Sequence, residues 1–156
     1  MRDAQVAVFV HLIWATWDRL PLLTDEITPT VYRAIGAKCE TLRTEVIAIG
    51  GVEDHIHLLV KLPATIAVAD LVKQIKGATS HLANFQIPDG GSFRWQGSYA
   101  AFSVEPERIP ILVKYIATQR THHLSNTTVP TWESAAQDHA RSPAHVNESP
   151  PHPKRT

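Results

Sequence analysis

The chain is poor in the residues that mark several protein classes. It has one cysteine, Cys39, so no disulfide framework can form, and a reducing, cytosolic setting is expected. No apolar run approaches the roughly 20 residues that span a bilayer, so no membrane-spanning segment is expected. The opening "MRDAQVAVFV" places an Asp beside a short apolar run, and no small-residue cleavage site follows, so no secretory signal is read there. Net charge is also missing: 15 basic residues balance 15 acidic ones. This balance argues against a broad basic surface that binds nucleic acid by charge alone and leaves a local basic groove open, because charge can segregate by face. Internal repeats are absent as well.

What is present suits one globular domain. The 156 residues are 44% hydrophobic, an ordinary value. Periodicity runs from residue 5 to about 124. The remainder, "SNTTVPTWESAAQDHARSPAHVNESPPHPKRT", accumulates Pro, Ser, Asn and His and loses apolar rhythm. A segment of that composition buries too little apolar surface to offset its ordering entropy. The expected organisation is a domain over 1–124 and a polar, largely disordered tail over 125–156.

Within the domain, "QVAVFVHLIWAT" (5–16) reads as a strand. Residues 25–43 carry Val31, Ile35 and Leu42 near helical spacing, and Pro29 fits a first helical turn, so a helix begins near Thr28. "EVIAIG" (45–50) and "VEDHIHLLVKL" (52–62) are two further strands, and Gly50-Gly51 between them predicts a hairpin turn. A helix over 67–85 is predicted by the stripe Leu71, Ile75, Ala78, Leu82 and Phe85. "IPDGGS" is a turn, "FRWQGSYAAFSV" (93–104) a fourth strand, and Pro106 opens a last helix running to about His122. The order β-α-β-β-α-β-α makes the fold class α+β. A ferredoxin-like β-α-β-β-α-β antiparallel sheet carries an additional C-terminal helix. Such a fold hosts many tasks and carries no function by itself.

The unusual feature is "DHIH". His55 and His57 alternate with apolar residues in a strand, so both imidazoles face one way, while Asp54 lies on the opposite face, though a strand end could twist it nearer. That spacing suits two ligands of one metal ion. It equally suits two hydrogen-bonded histidines, because a stable site usually needs three or more ligands. No third His or Glu stands out by spacing. On the last helix, Tyr115 and Gln119 lie four residues apart and share a face bordering the packing surface of Ile109, Leu112, Val113 and Ile116. An amide oxygen from Gln119 fits Mg²⁺ or Mn²⁺ better than a thiol-loving ion. Both residues could also be ordinary features of a core edge. Lys73, Lys76 and Ser80 lie off the apolar stripe of their helix, where they could hold phosphates or face solvent. Arg94, Trp95 and Tyr99 could stack on unpaired bases, with a framework role the better reading for Trp95.

Taken in order, "HLIWATWDRLPLLT", "GGVEDHIHLLVKLP", "VADLVKQIKGATSHLAN", "FRWQGSYAAFSV" and "YIATQRTHH" resemble the single-tyrosine HUH transposases of small insertion sequences, including the REP-associated tyrosine transposases. The resemblance covers His11 to about His123. It implies that His55, His57 and Gln119 bind a divalent metal, Mg²⁺ or Mn²⁺. It implies that Tyr115 attacks single-stranded DNA bearing hairpin ends, leaving a 5′-phosphotyrosine and a free 3′-hydroxyl. It also implies a cytoplasmic homodimer, with the tyrosine helix of one subunit often near the histidines of the other. Several positions depart from the family pattern. Trp17 stands where a Lys is usual, His81 where an Arg is usual, Ser98 and Ala100 where glycines are usual, and Glu105 where a Ser would cap the last helix. The tail lacks the usual further helix near an acidic "F-x-x-E". His122 and His123 match a common pair and are read as supporting or structural. These departures motivate an alternative, a decayed or domesticated protein that binds hairpin nucleic acid without cutting it. A small metal hydrolase built on H-x-H is a third reading.

Overall fold

The computed structural model describes residues 4–86 and 93–133. Four strands and four α-helices alternate as β1 (Val8–Ala15), α1 (Thr28–Thr41), β2 (Glu45–Val52), β3 (His55–Leu62), α2 (Val68–Gln86), β4 (Ala100–Ser103), α3 (Ile109–Ala117) and α4 (Gln119–Leu124). The sheet order is β2-β3-β1-β4, antiparallel throughout. This is the α+β, ferredoxin-like arrangement expected from the element order.

Alternation along the strands explains the layers. Val10, Leu12 and Trp14 of β1 join Ile56, Leu58 and Val60 of β3 in one core, closed by Val31, Ile35 and Cys39 of α1 and Leu71, Val72 and Ile75 of α2. The opposite face carries His11, His55, His57 and Leu59. There a smaller cluster packs Leu59 against Leu112, Tyr115 and Ile116 of α3. The histidines therefore lie between the sheet and the last helices.

Four expectations change. The hairpin turn is formed by Glu53 and Asp54, not by the glycines, which sit inside β2 opposite His57 and Ile56. A Cβ on Gly50 would collide with the Ile116 backbone carbonyl, and one on Gly51 with the His55 carbonyl. These glycines permit close packing rather than a turn. The fourth strand is short. Among the described residues before Ala100, a single bridge, Trp95 to Thr16, ties the segment to the sheet. In α2 the buried stripe runs through Leu71, Ile75, Thr79 and Ala83, which leaves Phe85 77% exposed against the His81 ring. The last helix is broken at Thr118 (φ −116°, ψ 27°), so Tyr115 lies in the last turn of α3 and Gln119 begins α4.

The "IPDGGS" turn at 87–92 and the tail from 134 lie outside the described residues. The part of the tail within them, 125–133, continues from α4 into a 3-10 turn at Pro130–Trp132 and ends on buried Glu133. No helix among the described residues is long and apolar enough to cross a membrane.

Candidate active site

β3 begins at His55, and its pleat turns His55 and His57 toward α3 with both side chains fully buried. Their ring centroids are 5.1 Å apart. Each Nδ1 has a partner. His55 Nδ1 lies 2.7 Å from Asp54 Oδ1, and His57 Nδ1 lies 3.0 Å from His11 Nε2 on β1. Asp54 thus reaches the imidazole side after all, because the hairpin turn swings its carboxylate back. Arg19 Nε, 3.0 Å from Asp54 Oδ2, braces it from behind.

Both Nε2 atoms point to Glu133. Its Oε2 lies 3.1 Å from His55 Nε2, 3.5 Å from His57 Nε2 and 3.6 Å from His123 Nε2. One donor atom each from His55, His57 and Glu133 lie within 4.8 Å of one another. Glu133 is the third ligand candidate that spacing did not reveal. Nothing in "TTVPTWES" marks it, since it lies in a segment of disordered composition and reaches the site only through the fold.

Tyr115 completes the cluster from α3. Its ring centroid is 6.0 Å from that of His57, and its hydroxyl donates to Glu133 Oε1 while accepting from Val129 N–H at 3.1 Å. His122 stacks on the Tyr115 ring at 4.5 Å, and Trp132 meets its edge at 4.8 Å. Gln119 is buried beside them. Its Nε2 is 3.5 Å from the Tyr115 carbonyl, and its Oε1 has no hydrogen-bond partner. All these groups meet within a single protomer.

The electrostatics follow from burial and from the one carboxylate. Burial alone would lower His55, but the hydrogen bonds to Asp54 and Glu133 outweigh it and raise its pKa. Burial lowers His57, and only partly does Glu133 offset this. His11 is pushed down to about 3 by burial, with the neighbouring His57 acting in the same sense. Burial would raise Glu133, yet its hydrogen bonds to His55, His57 and Tyr115 hold it well below the usual carboxylate range. Burial pushes the Tyr115 phenol up to about 12, reinforced by the Glu133 hydrogen bond.

A divalent cation fits this donor set. His55 Nε2, His57 Nε2, Glu133 Oε2, Gln119 Oε1 and His123 Nε2 are all buried, and apart from the contacts of the three histidines with Glu133 none of them has a partner. Buried polar atoms rarely stay unsatisfied, and several together mark a place where an ion would pair with them. With Glu133 as ligand the set is not neutral, as a pair of histidines and an amide would be. It offsets one unit of the ion's charge.

The residues proposed for DNA contact divide. Trp95 is buried, donates its indole N–H to Thr79 Oγ1 at 2.8 Å and meets Trp14 and Phe93 edge-on, so it is framework. Lys76 donates to the Gln96 and Ser98 carbonyls at 2.8 and 2.7 Å, and burial lowers its pKa to about 8. Ser80 bonds back to the Lys76 carbonyl at 2.8 Å. Lys76 thus ties α2 to the segment before β4, whereas the Ser80 hydroxyl is spent within α2. Lys73 and Arg94 are exposed, and the Arg94 guanidinium lies 3.8 Å from the centroid of the exposed Trp17 ring. Ser98 and Ala100 do not take positive φ, so neither position needs the glycine expected there.

Comparisons with known proteins show the family. Residues 4–119 match the family model described as "Transposase IS200 like". The chain belongs to the IS200-like transposase family. That membership makes it a DNA transposase and displaces the small-hydrolase reading. A curated relative, the ISDra2 transposase TnpA of Deinococcus radiodurans, is 29% identical over 115 residues, which cover 70% of this chain and 81% of that protein. A crystal structure of a D. radiodurans R1 protein described as a transposase superposes with a TM-score of 0.59 at 27% identity, over 76% of this chain and 95% of that one. The REP-associated tyrosine transposase bound to a REP hairpin superposes with a TM-score of 0.61 at 16% identity, over 79% and 72% of the two chains. At that identity it supports the fold alone. The family match ends at Gln119, so Glu133 lies beyond it.

Proposed function

We propose that this transposase cleaves and rejoins single-stranded DNA through Tyr115, with His55, His57 and Glu133 holding a divalent ion, Mg²⁺ or Mn²⁺, and Gln119 completing the set. The observation that carries this reading is the meeting of the Tyr115 hydroxyl with both H-x-H imidazoles around one carboxylate. When bound, the ion would supply positive charge to bind and polarise a phosphate. The chain's residues do the rest. The Tyr115 oxygen forms a bond to phosphorus as the bond from phosphorus to the 3′-oxygen breaks, which leaves a 5′-phosphotyrosine and a 3′-hydroxyl. The reverse attack by a DNA 3′-hydroxyl rejoins the strand. Lys73 and the Arg94–Trp17 pair, all exposed, provide phosphate and base contacts at the surface. The substrate is DNA with hairpin ends, the acting species a homodimer, and the compartment the cytoplasm. The hairpin substrate is supported by the family resemblance and by the hairpin held by the REP-associated neighbour, the homodimer by the resemblance alone, and the compartment by the lone Cys39.

Incubation with Mn²⁺ and single-stranded DNA carrying the flanking genomic hairpins should yield a protein–DNA adduct that Tyr115→Phe abolishes. Hairpin binding without any adduct, at the same affinity in parent and Tyr115→Phe, would establish the non-cleaving binder instead.

A further inference from the structure

Both hydrogen-bonding roles of the Tyr115 hydroxyl are filled by the short segment Val129–Glu133. The oxygen accepts Val129 N–H and the O–H is donated to Glu133 Oε1. The other Glu133 oxygen faces the Nε2 atoms of His55 and His57. One carboxylate therefore joins the phenol to the metal-ligating imidazoles, and it comes from a part of the chain past the end of the family match.

An unperturbed phenol, with a pKa near 10, is protonated at neutral pH. Its proton must leave as the oxygen bonds to phosphorus, and an acceptor has to lie within hydrogen-bond reach. The neighbours other than Glu133 are unsuited. Val129 N–H is a donor. The Gln119 amide cannot take up a proton. His122 lies face-on to the ring, with Nδ1 3.0 Å from Thr127 Oγ1. The Nε2 lone pairs of His55 and His57 face the centre of the ligand set.

We propose that Glu133 is a catalytic residue, the proton acceptor for Tyr115. This rests on the reading of Tyr115 as nucleophile. As the Tyr115 O–H bond breaks, the proton passes to Glu133 Oε1 and the freed electron pair forms the O–P bond. The electrons of the P–O3′ bond leave with the 3′-oxygen, which takes a proton from solvent. In rejoining, the protonated Glu133 returns its proton to the departing phenol oxygen.

The test measures adduct formation at saturating Mn²⁺ in the parent, Glu133→Gln and Glu133→Asp, each with tyrosine or 2,3-difluorotyrosine at position 115. Mn²⁺ affinity is followed separately by electron paramagnetic resonance in a Tyr115→Phe background, and folding by circular dichroism. Glu133→Gln should slow adduct formation by about 10²- to 10⁴-fold, the usual contribution of a positioned base. The more acidic phenol should recover at least about tenfold of that loss in Glu133→Gln while changing the parent less than about threefold, since it no longer needs the acceptor. Glu133→Asp, which keeps an acceptor, should fall between the two. Three results overturn the proposal: Glu133→Gln reacting within about threefold of the parent, equal effects of the fluorinated phenol with and without Glu133, or a faster reaction in Glu133→Gln, which would make the carboxylate a plug. A folded, Mn²⁺-bound parent that forms no adduct would instead defeat the reading of Tyr115 itself, and the proposal with it.

Discussion

Replacing Gly50 with Ala tests how closely α3 must approach the sheet. Gly50 is buried in β2, opposite His57. An added Cβ would fall well inside 3.0 Å of the Ile116 carbonyl oxygen, closer than real Cβ atoms come, and would also meet the carbonyl carbon and Cγ2 of Ile116 at 3.0 Å each. The obstacle is helix backbone, so no side-chain rotation relieves it. α3 must retreat from β2 by roughly 0.5–1 Å, and an overpacked core change of this kind costs about 1–3 kcal/mol. Because Ile116 follows Tyr115, the retreat also draws the phenol away from Glu133. The internal control is Gly77→Ala on α2, where an added Cβ meets nothing within 4 Å. There helix propensity predicts stabilisation of about 0.5–1 kcal/mol. Urea denaturation of parent and both variants should show midpoints moving in opposite directions with unchanged slope. Equal stability of Gly50→Ala and the parent would refute the close approach of α3 to β2, and with it the placement of Tyr115 over the H-x-H face.

Four further outcomes follow from particular contacts. Thr79→Val removes the acceptor of the buried Trp95 indole N–H and should destabilise the fold by about 1–3 kcal/mol in the same denaturation assay. His11→Phe leaves His57 Nδ1 without its partner and should weaken Mn²⁺ binding by about 10- to 100-fold in a calorimetric titration, while Tyr115→Phe should not. Lys73→Ala should reduce the salt slope of single-stranded DNA binding by about one phosphate contact, whereas Lys76→Met, whose amine is bonded to Gln96 and Ser98, should leave the slope unchanged. Glu133 and Asp54 are held below their ordinary values of 4.5 and 3.8, so the stability they contribute is complete above those values and lost as pH falls through and below them. Thermal midpoints of the metal-free protein should therefore drop with acid, and less steeply in Glu133→Gln.

Legibility in the sequence tracked how local each determinant is. The start of α1 at Thr28, with Pro29 in its first turn, is written in three adjacent residues. His55 and His57 share a face because a strand has period two, and no tertiary information is needed for that. Gly50-Gly51 misled for the opposite reason. A turn glycine and a packing glycine look alike until the distant α3 is laid over Gly50 and β3 is paired against Gly51. The break at Thr118 was hidden because no Gly or Pro marks it, and Phe85 lies off the buried face of α2 because the stripe advances by fours through Thr79 and Ala83. Glu133 was the least legible. Its segment buries few apolar residues apart from Val129 and Trp132, which pack against the α3 cluster. Composition averages over those two anchors.

The two imidazoles are prepared as ligands by residues that neither the H-x-H spacing nor the helix face discloses. The Asp54 carboxylate accepts from His55 Nδ1–H, which leaves the Nε2 lone pair facing the centre. Arg19 fixes that carboxylate, and it does so from a 3-10 turn in which Asp18 and Arg19 both hold positive φ, 52° and 55°. Such backbone is sparsely populated for non-glycine residues and persists only where its surroundings compensate. For His57 the second partner is neutral. Burial keeps His11 uncharged across the physiological range, so its Nε2 can accept from His57 Nδ1–H without placing a second positive charge beside the site. One ligand is thus backed by a carboxylate and the other by a neutral imidazole. The anionic partner makes His55 the stronger donor to a cation, and the neutral partner leaves His57 the weaker one. Asp54→Asn should accordingly reduce Mn²⁺ affinity more than His11→Gln, and the reverse order would show that orientation, rather than charge, is what the backing residues supply.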